Sequence, residues 1–329
     1  MYLLEFAGED DRLAAAEAGV VTTGCEVAAP GIGTTEEIDI EMAARLALTR
    51  RIVSHLGTVE GSLSDLIEFA ESVTLDSEGS VAVRARDVRG LAGVDTQLVE
   101  RELGTVLVDR GFAIDLERPT RELRVFATVV DDTRRGYLGW HLLETPRGYG
   151  DRAPPKRPFR QPGTMDAMLA RVLVNLSRVQ PEERLFDPMC GPGGVLIEAA
   201  LIGVEPLGMD VQRRMVEGAS ENIDAVASPS SPVDVIQGTA SQLPVRSVDA
   251  VVFDAPYGRQ SPIAHDSARE LVAATLSELQ GVTARCVAVF DAPVEELAVE
   301  SGWSIIDHFE RRVHRSLTRH ITVLEASDG

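Results

Sequence analysis

The chain has 329 residues, of which 44% are hydrophobic, and its formal net charge is −20. That length suits two or three domains with a sizeable core, and no uncharged apolar run reaches the ~18 residues that a membrane-spanning helix needs. The N-terminus lacks the basic start and apolar run of a signal peptide. We therefore expect a cytoplasmic protein without a membrane partner.

The composition also gives expectations about metal binding and about the salt concentration in which the protein works. Three cysteines, Cys25, Cys190 and Cys286, lie far apart, and neither they nor the six histidines show metal-binding spacing. We expect no metal, no disulfide framework and a monomer. The acidic surplus and the single lysine, Lys156, resemble proteins of a high-salt cytoplasm, whose acidic surfaces keep them soluble. An ordinary acidic protein from a GC-rich organism is the alternative.

The N-terminal half carries patterns that favour a mixture of helices and strands. Apolar periodicity predicts helices over 36–55, 62–71 and 94–110, and strands over 80–86, 112–115 and 122–130. The order helix, strand, helix, strand, strand predicts a small α+β unit in the second part of this half. The residues before it are expected to form a separate small α/β lobe.

The C-terminal half alternates strands with helices, which predicts a parallel sheet. Strands are predicted over 184–187, 207–211, 233–237, 248–254 and 285–291, and helices over 164–178, 194–201, 213–226, 267–280 and 294–301. Two further strands, over 304–314 and 320–326, have no helix between them and predict an antiparallel hairpin at one edge of the sheet. A segment rich in Pro, Gly and Arg, 147–163, is predicted to link the two halves.

A glycine-rich turn follows the first of these parallel strands, with the sequence Phe186-Asp187-Pro188-Met189-Cys190-Gly191-Pro192-Gly193-Gly194. Such a turn lets the backbone approach a ligand closely, and the following helix offers free N–H groups. The dinucleotide pattern GxGxxG would need glycine where Leu196 stands, and a P-loop would need Gly-Lys-Ser/Thr. Neither nucleotide-binding pattern fits this turn.

Two more acidic residues are predicted at strand ends. Asp210, in Gly208-Met209-Asp210-Val211, follows Asp187 by 23 positions, which is a spacing typical of a residue that binds ribose hydroxyls. Asp254 ends another strand and begins the run Asp254-Ala255-Pro256-Tyr257-Gly258-Arg259. Because the carboxyl ends of parallel strands share one edge of the sheet, we expect the three carboxylates to lie at the same edge.

These motifs resemble the Rossmann-fold RNA guanine-N2 methyltransferases. Residues 187–193 resemble their Asp-Pro-x-Cys-Gly-x-Gly loop, and residues 254–257 resemble their Asp/Asn-Pro-Pro-Tyr/Phe motif, with Ala255 in place of the first proline. The runs Arg157-Pro158-Phe159, Pro162-Gly163-Thr164-Met165 and 169–176 resemble the segment before the catalytic domain of archaeal tRNA guanosine-10 N2-methyltransferases. The resemblance is specific over about 155–260 and topological elsewhere.

The resemblance implies S-adenosylmethionine as the cofactor. Asp187 would meet the ammonium of its methionine moiety and Asp210 its ribose. Relatives usually have Asp, which binds the adenine amine, where this chain has Thr239. The residues that the resemblance assigns to the cofactor are Asp187, Cys190, Gly191, Gly193, Asp210, Val211 and Thr239.

The resemblance also implies a catalytic set of Asp254, Pro256 and Tyr257. The lone pair of an exocyclic base amine is delocalised into the ring, so an acceptor for its N–H groups directs the nitrogen toward the methyl group and can take up the proton. The tyrosine ring would stack on the base, which contributes roughly 1–3 kcal/mol, and the proline stiffens the turn. Tyr257 stands where pyrimidine C5 methyltransferases have a nucleophilic thiol, so covalent catalysis is disfavoured.

The implied architecture is an α/β Rossmann-fold methyltransferase domain with a C-terminal antiparallel hairpin, preceded by an α+β region. Its expected parts are a ferredoxin-like lobe (1–57), a THUMP-type RNA-binding domain (58–146), a linker (147–163) and the methyltransferase domain (164–329). With tRNA as partner, phosphate contacts are expected from a set of basic residues, although ion pairing with surface carboxylates is the alternative for each of them. The set is Arg152, Lys156, Arg157, Arg160 and Arg259.

The implied reaction is methylation of a guanosine N2 amine in tRNA, at position 10, with one or two transfers. Two alternatives remain open at this stage. Adenine-N6 methylation of DNA or RNA is one, because the same tetrapeptide serves both amines. A non-catalytic RNA-binding protein of the same fold is the other.

Overall fold

The computed structural model of the chain describes residues 1–75, 79–227, 233–256, 265–315 and 317–327. The chain divides into two compact units, Met1–Pro146 and Arg147–Gly329, and each unit is built on its own sheet. No helix among the described residues has the length and apolar character needed to span a membrane.

The first unit is a single twisted sheet with helices against it. Its elements are β1 (Tyr2–Phe6), α1 (Asp11–Ala18), β2 (Glu26–Ala29), β3 (Ile32–Thr35), α2 (Ile40–Ala43), β4 (Thr49–Glu60), α3 (Leu63–Ser72), β5 (Ser80–Asp87), α4 (Thr96–Asp109), β6 (Ala113–Ile114), β7 (Arg121–Val130) and β8 (Thr133–Glu144). The strand order is β2-β3-β1-β4-β8-β7-β5-β6. A core forms where α3 and α4 cover the sheet, with Leu66, Leu103 and Leu123 among its buried residues.

The helix predicted over 36–55 is wrong. Asp39 caps only the single turn of α2, and the chain then enters β4, which pairs with β1 on one side and with β8 on the other. The β-branched residues Thr49, Ile52 and Val53 favour a strand, and all three are buried. The expected border between residues 57 and 58 therefore falls inside a strand that both parts of the sheet share.

The second unit has the α/β organisation that the alternating pattern predicts. Its elements are α5 (Ala167–Leu176), β9 (Arg184–Asp187), α6 (Gly194–Ala200), β10 (Glu205–Asp210), α7 (Arg213–Val226), β11 (Asp234–Gln237), β12 (Ala250–Asp254), α8 (His265–Leu279), β13 (Arg285–Phe290), α9 (Glu295–Glu300), β14 (Trp303–His314) and β15 (Leu317–Ala326). The strand order is β11-β10-β9-β12-β13-β15-β14. The first five strands in that order are parallel.

The hairpin predicted at the end of the chain is confirmed, since β15 runs antiparallel to both β13 and β14. Cys286 of β13 is fully buried in the core between the sheet and α8, as its strand position predicts. The strand order reverses between β9 and β12, because β10 lies on one side of β9 and β12 on the other. In doubly wound sheets a ligand binds at this reversal, beyond the carboxyl ends of the strands.

The segment 147–163, predicted to be a linker, is grouped with the second unit. The Asn222 side chain of α7 accepts a hydrogen bond from Phe159 N at 2.9 Å and donates to Phe159 O at 3.0 Å. Gly218, one turn earlier on α7, lies so close to the Phe159 ring that an added Cβ would be 2.2 Å from it. The segment is therefore an integral part of the second unit's packing.

Candidate active site

Three acidic residues occupy the ends of neighbouring strands at the reversal point. Asp187, Asp210 and Asp254 are the last residues of β9, β10 and β12. The register pairs Asp187 with Gly208 and Phe186 with Val251, so Asp210 and Asp254 extend beyond the level of Asp187 on either side of it. The predicted convergence of the three carboxylates at one sheet edge is observed.

The glycine-rich turn is tied to the strand ends by hydrogen bonds. Asp187 Oδ1 accepts from Met189 N at 3.0 Å, and Asp210 Oδ2 accepts from Gly191 N at 3.0 Å. Gly193 has φ of 79°, and a Cβ there would lie 3.1 Å from Ala219 Cβ of α7. Glycine is required at 193 because the backbone is left-handed and lies close to the neighbouring helix.

The electrostatics of this edge favour a cationic ligand. Asp187 is only 2% exposed, and burial raises its pKa well above the usual range, with the charges of Asp210 and Asp254 raising it further. Burial also raises the pKa of Asp210. Carboxylates so placed repel one another, and a positively charged group bound among them would relieve that repulsion. This cluster of carboxylates therefore suits a ligand that carries a positive charge.

The other residues assigned to the cofactor lie around the same edge. Cys190 is buried against α6 and α7, and burial, together with Asp187 and Asp210, raises the pKa of its thiol well above the usual value. This thiol is therefore poorly suited to act as a nucleophile. Val211 is 63% exposed just beyond Asp210. Thr239 is exposed beyond β11, with Oγ1 3.1 Å from Ser241 Oγ.

The Asp254 motif begins where β12 ends. Ala255 is buried, and its backbone N–H donates to Val289 O of β13 at 2.9 Å. The Asp254 side chain is 27% exposed, and its Oδ2 lies 3.7 Å from Arg319 Nη2 of β15. Pro256 is partly buried, while Tyr257 and Arg259 lie outside the described residues.

A family model for the RMKL-like methyltransferase domain matches residues 154–321, which include the three strand ends and Arg319. The chain belongs to this methyltransferase family. The tRNA (guanine(10)-N2)-dimethyltransferase of Methanothermobacter thermautotrophicus is 35% identical over 290 residues, covering 85% of this chain and 83% of that protein. The enzyme of the same name from Pyrococcus abyssi is 28% identical, covering 90% and 88%.

Among solved structures, TrmN from Thermus thermophilus has the same overall fold. It superposes with a TM-score of 0.52 at 22% identity, covering 99% of this chain and 100% of that one. At this identity the similarity bears on the fold alone. It extends over both units and supports the mixed α/β architecture with two sheets.

Two arginines predicted to contact RNA have structural partners instead. Arg157 is 1% exposed, its Nε donates to Arg152 O at 2.9 Å, and its Nη1 lies 3.3 Å from the position that a Cβ on Gly194 would take. Arg152 donates from Nη2 to the buried Glu198 at 3.0 Å. Lys156 and Arg160 are exposed, so of the described basic set these two present their charges to solvent.

Sequence reasoning did not find Arg319. The chain carries many arginines, and nothing in their spacing marks the one that reaches a carboxylate 65 positions earlier. The only available signal is its place in the hairpin, because a strand next to β13 at its carboxyl end is close to the end of β12. Its position therefore emerges from the sheet order and not from a motif.

Of the described residues, one cluster brings together three potential metal ligands, His308, Glu310 and His320. His308 Nε2 lies 3.1 Å from His320 Nδ1, the ring planes differ by 7°, and the centroids are 5.3 Å apart. The nitrogens are much closer than the ring centres, so the rings meet edge to edge in a direct hydrogen bond. His308 Nδ1 faces Glu295 at 3.3 Å. We assign no metal to this cluster of hydrogen-bonded side chains.

Proposed function

We propose that this chain transfers a methyl group from S-adenosylmethionine to the exocyclic N2 amine of a guanosine in tRNA. The convergence of Asp187, Asp210 and Asp254 at one edge of a methyltransferase-family sheet carries the proposal. Three archaeal relatives, 28–35% identical over most of the chain, are named for dimethylation of N2 on guanine 10. Position 10, with one or two transfers, is the target that we propose.

The residues at the reversal point fit the cofactor. We assign Asp187 to the ammonium group, Asp210 to the ribose hydroxyls, and the turn with Cys190, Gly191 and Gly193 to the methionine end. Val211 and Thr239 would lie on the adenine side. When bound there, S-adenosylmethionine would supply an electrophilic methyl carbon, which the amine nitrogen would take by direct displacement with the thioether of S-adenosylhomocysteine as leaving group. A metal ion and a covalent enzyme intermediate have no part in this reaction.

The chain's contribution to chemistry centres on Asp254. Its carboxylate accepts an amine N–H, orients the nitrogen and takes up the proton that transfer releases. Pro256 stiffens the turn, and Tyr257, outside the described residues, remains the predicted stacking partner of the base. The guanine must leave its stack to reach this site. Orientation of this kind can supply at most about 7–11 kcal/mol of the barrier reduction.

We further propose that the first unit is the RNA-binding module, of THUMP type. Lys156, Arg160 and Arg259 are the basic residues that we assign to phosphate contacts, which position RNA without reading its sequence. A chain restricted to residues 147–329 is expected to bind S-adenosylmethionine as the full chain does and to bind tRNA more weakly. Equal tRNA affinity of the two forms, measured by filter binding at matched salt, would remove the RNA-binding role of the first unit.

The experiment that tests the function is incubation of the full chain with labelled S-adenosylmethionine and an unmodified tRNA transcript, followed by nucleoside analysis. We expect N2-methylguanosine first and N2,N2-dimethylguanosine later, and no label in a transcript with adenosine at position 10. Label in N6-methyladenosine would support the adenine alternative. Cofactor binding without transfer to any RNA would support a non-catalytic protein.

The role of Asp254 is tested in the same assay. Asp254→Ala is expected to abolish transfer while S-adenosylmethionine still binds, because the variant removes the acceptor for the amine and leaves Asp187 and Asp210 in place. Asp249→Ala is the matched control. Asp249 lies just before the first residue of β12, at the opposite edge of the sheet, and its Oδ2 accepts a hydrogen bond from Arg184 N at 2.8 Å. Near-normal turnover by Asp254→Ala would exclude the assigned role.

A further inference from the structure

Arg319 lies at the carboxyl edge of the sheet, one strand beyond β13. The last residue of β13, Phe290, pairs with His320, so Arg319 lies just past the end of that strand. Its side chain can therefore cross the end of β13 toward β12, which pairs with β13 through Asp254 and Val289. The guanidinium is almost fully buried, with 6% of the side chain exposed.

The guanidinium is in contact with both the end of β12 and the segment before α5. Arg319 Nη2 lies 3.7 Å from Asp254 Oδ2 and donates to Gly163 O at 3.4 Å. Gly163 belongs to the run just before α5, which is one of the segments that resemble the tRNA-modifying family. A buried arginine thus links the segment before α5 to Asp254, the carboxylate that we assign to the substrate amine.

We propose that Arg319 is a positioning residue that holds the Asp254 carboxylate ionised and oriented to accept the substrate amine. This inference rests on the role of Asp254 in the proposed function. With Oδ2 directed to Arg319, Oδ1 is the oxygen that we assign to the amine N–H. A guanidinium stays charged at every working pH and has donors in a fixed plane, so it fixes both the ionisation and the orientation of a carboxylate.

The charges around Asp254 show why a cation matters there. From β9, the buried Asp187 interacts electrostatically with Asp254, and like charges disfavour ionisation of both carboxylates. From β15, Arg319 opposes that effect. An ionised carboxylate can take up the proton that methyl transfer releases, whereas a carboxyl that is already protonated cannot. Removing Arg319 should therefore weaken transfer at neutral pH more than it weakens cofactor binding.

The test compares Arg319→Gln and Arg319→Lys in the full chain with the wild type. Arg285→Gln is the matched control, because Arg285 is a partly buried arginine of the same sheet that pairs with Glu325 at the opposite edge. The first readout is the pH dependence of kcat at saturating tRNA, together with the Kd for S-adenosylmethionine. The second is the titration of the Asp254 carboxyl carbon by NMR, assigned by its loss in Asp254→Asn.

We expect Arg319→Gln to move the acid limb of kcat, and the titration midpoint of the Asp254 carboxyl, upward by about 1–3 pH units. The Kd for S-adenosylmethionine should stay within about twofold, which is only a few tenths of a kcal/mol. Arg319→Lys should restore most of the shift because it keeps the charge. Arg285→Gln should leave both midpoints unchanged, even if it lowers stability.

Unchanged midpoints in a folded Arg319→Gln variant would overturn the inference. So would equal shifts in Arg319→Gln and Arg285→Gln, because a merely structural arginine would then account for both. The NMR arm needs no substrate. Failure of the wild type to methylate tRNA would therefore refute the proposed function, whereas the carboxyl titration would still decide whether Arg319 controls Asp254.

Discussion

Replacing Asp187 by asparagine should move cofactor affinity and stability of the free protein in opposite directions. The amide oxygen of asparagine can still accept the hydrogen bond from Met189 N, so the loop keeps its anchor while the charge is lost. Asp187 is 2% exposed, and the substituted side chain is nearly isosteric. The effects of the variant therefore report on the charge.

The expected loss of affinity follows from the interaction that disappears. A hydrogen bond to a charged group contributes about 1.5–3 kcal/mol, so the Kd for S-adenosylmethionine should rise about 10- to 150-fold. The free protein should behave in the opposite way. Burial, Asp210 and Asp254 raise the pKa of Asp187 in the folded state, so ionising this carboxyl costs folding stability as the pH rises through that raised value.

The sign of the stability effect depends on pH. Below the unfolded pKa, Asp187 is protonated in both states and resembles asparagine, so the variant and the wild type should have similar stability. Above the raised folded pKa, the wild type carries a buried charge that the variant lacks. The Tm of Asp187→Asn should therefore exceed that of the wild type at alkaline pH, and the difference should shrink as the pH falls.

Calorimetry measures both quantities. The cofactor is titrated at neutral pH, and thermal unfolding of the free protein is followed from about pH 3 to pH 9, which extends below the usual Asp pKa and up to the raised carboxyl range. Asp249→Asn is the control, because Asp249 also accepts a backbone N–H, at 2.8 Å, but is exposed at the opposite edge of the sheet. It should leave the Kd unchanged and should not raise the Tm at alkaline pH. Unchanged cofactor affinity in Asp187→Asn, or a Tm that falls equally at every pH, would refute the reasoning.

Three other substitutions test separate parts of the site and its support. Asp210→Ala should raise the Kd for S-adenosylmethionine by tenfold or more, for a loss of about 1.4 kcal/mol, and calorimetry that finds an unchanged Kd would reject the ribose assignment. Glu198→Gln should lower the free energy of unfolding by about 3–5 kcal/mol because it leaves the buried Arg171 and the partly buried Arg152 with no carboxylate. Glu217→Gln, in an exposed pair, should change it by less than about 0.5 kcal/mol. Ala255→Pro should change the free energy of unfolding by less than about 1 kcal/mol and retain transfer. A large loss of either stability in urea titration or methyl-transfer activity would show that proline is not tolerated after Asp254.

The second unit could be predicted because its local patterns agree with its fold. Short apolar strands alternate with amphipathic helices, and each of the three acidic residues follows directly from the end of a strand. Parallel strands bring their carboxyl ends to one edge whatever the loops between them do, so the sequence alone is enough to group Asp187, Asp210 and Asp254. The final hairpin was predictable for a similar reason, since the short stretch 315–319 between the two predicted strands leaves no room for a crossover helix.

The first unit and the packing of charged residues could not be predicted in the same way. Residues 36–55 have apolar positions that fit a helix. The last part of this segment is instead in β4, because β4 pairs with strands on both sides, and those partner strands are distant in the sequence. Arg157 looks like a phosphate ligand in a basic segment, yet it is buried. Arg319 pairs with a carboxylate 65 positions away. Burial and long-range pairing are properties of the tertiary structure that a run of basic residues does not encode.

Ala255 stands where the motif that residues 254–257 resemble has proline, and this difference can be explained by two small opposing effects. The Ala255 N–H donates to Val289 O at 2.9 Å, a bond that proline cannot make and that contributes about 0.5–1.5 kcal/mol. Proline at a compatible position would recover about 0.4–1 kcal/mol by restricting the unfolded chain, and it would keep Asp254 extended, as β12 already does. Because the two terms nearly cancel, either residue can follow the carboxylate that we propose as catalytic, and the departure at Ala255 does not weaken the assignment of Asp254.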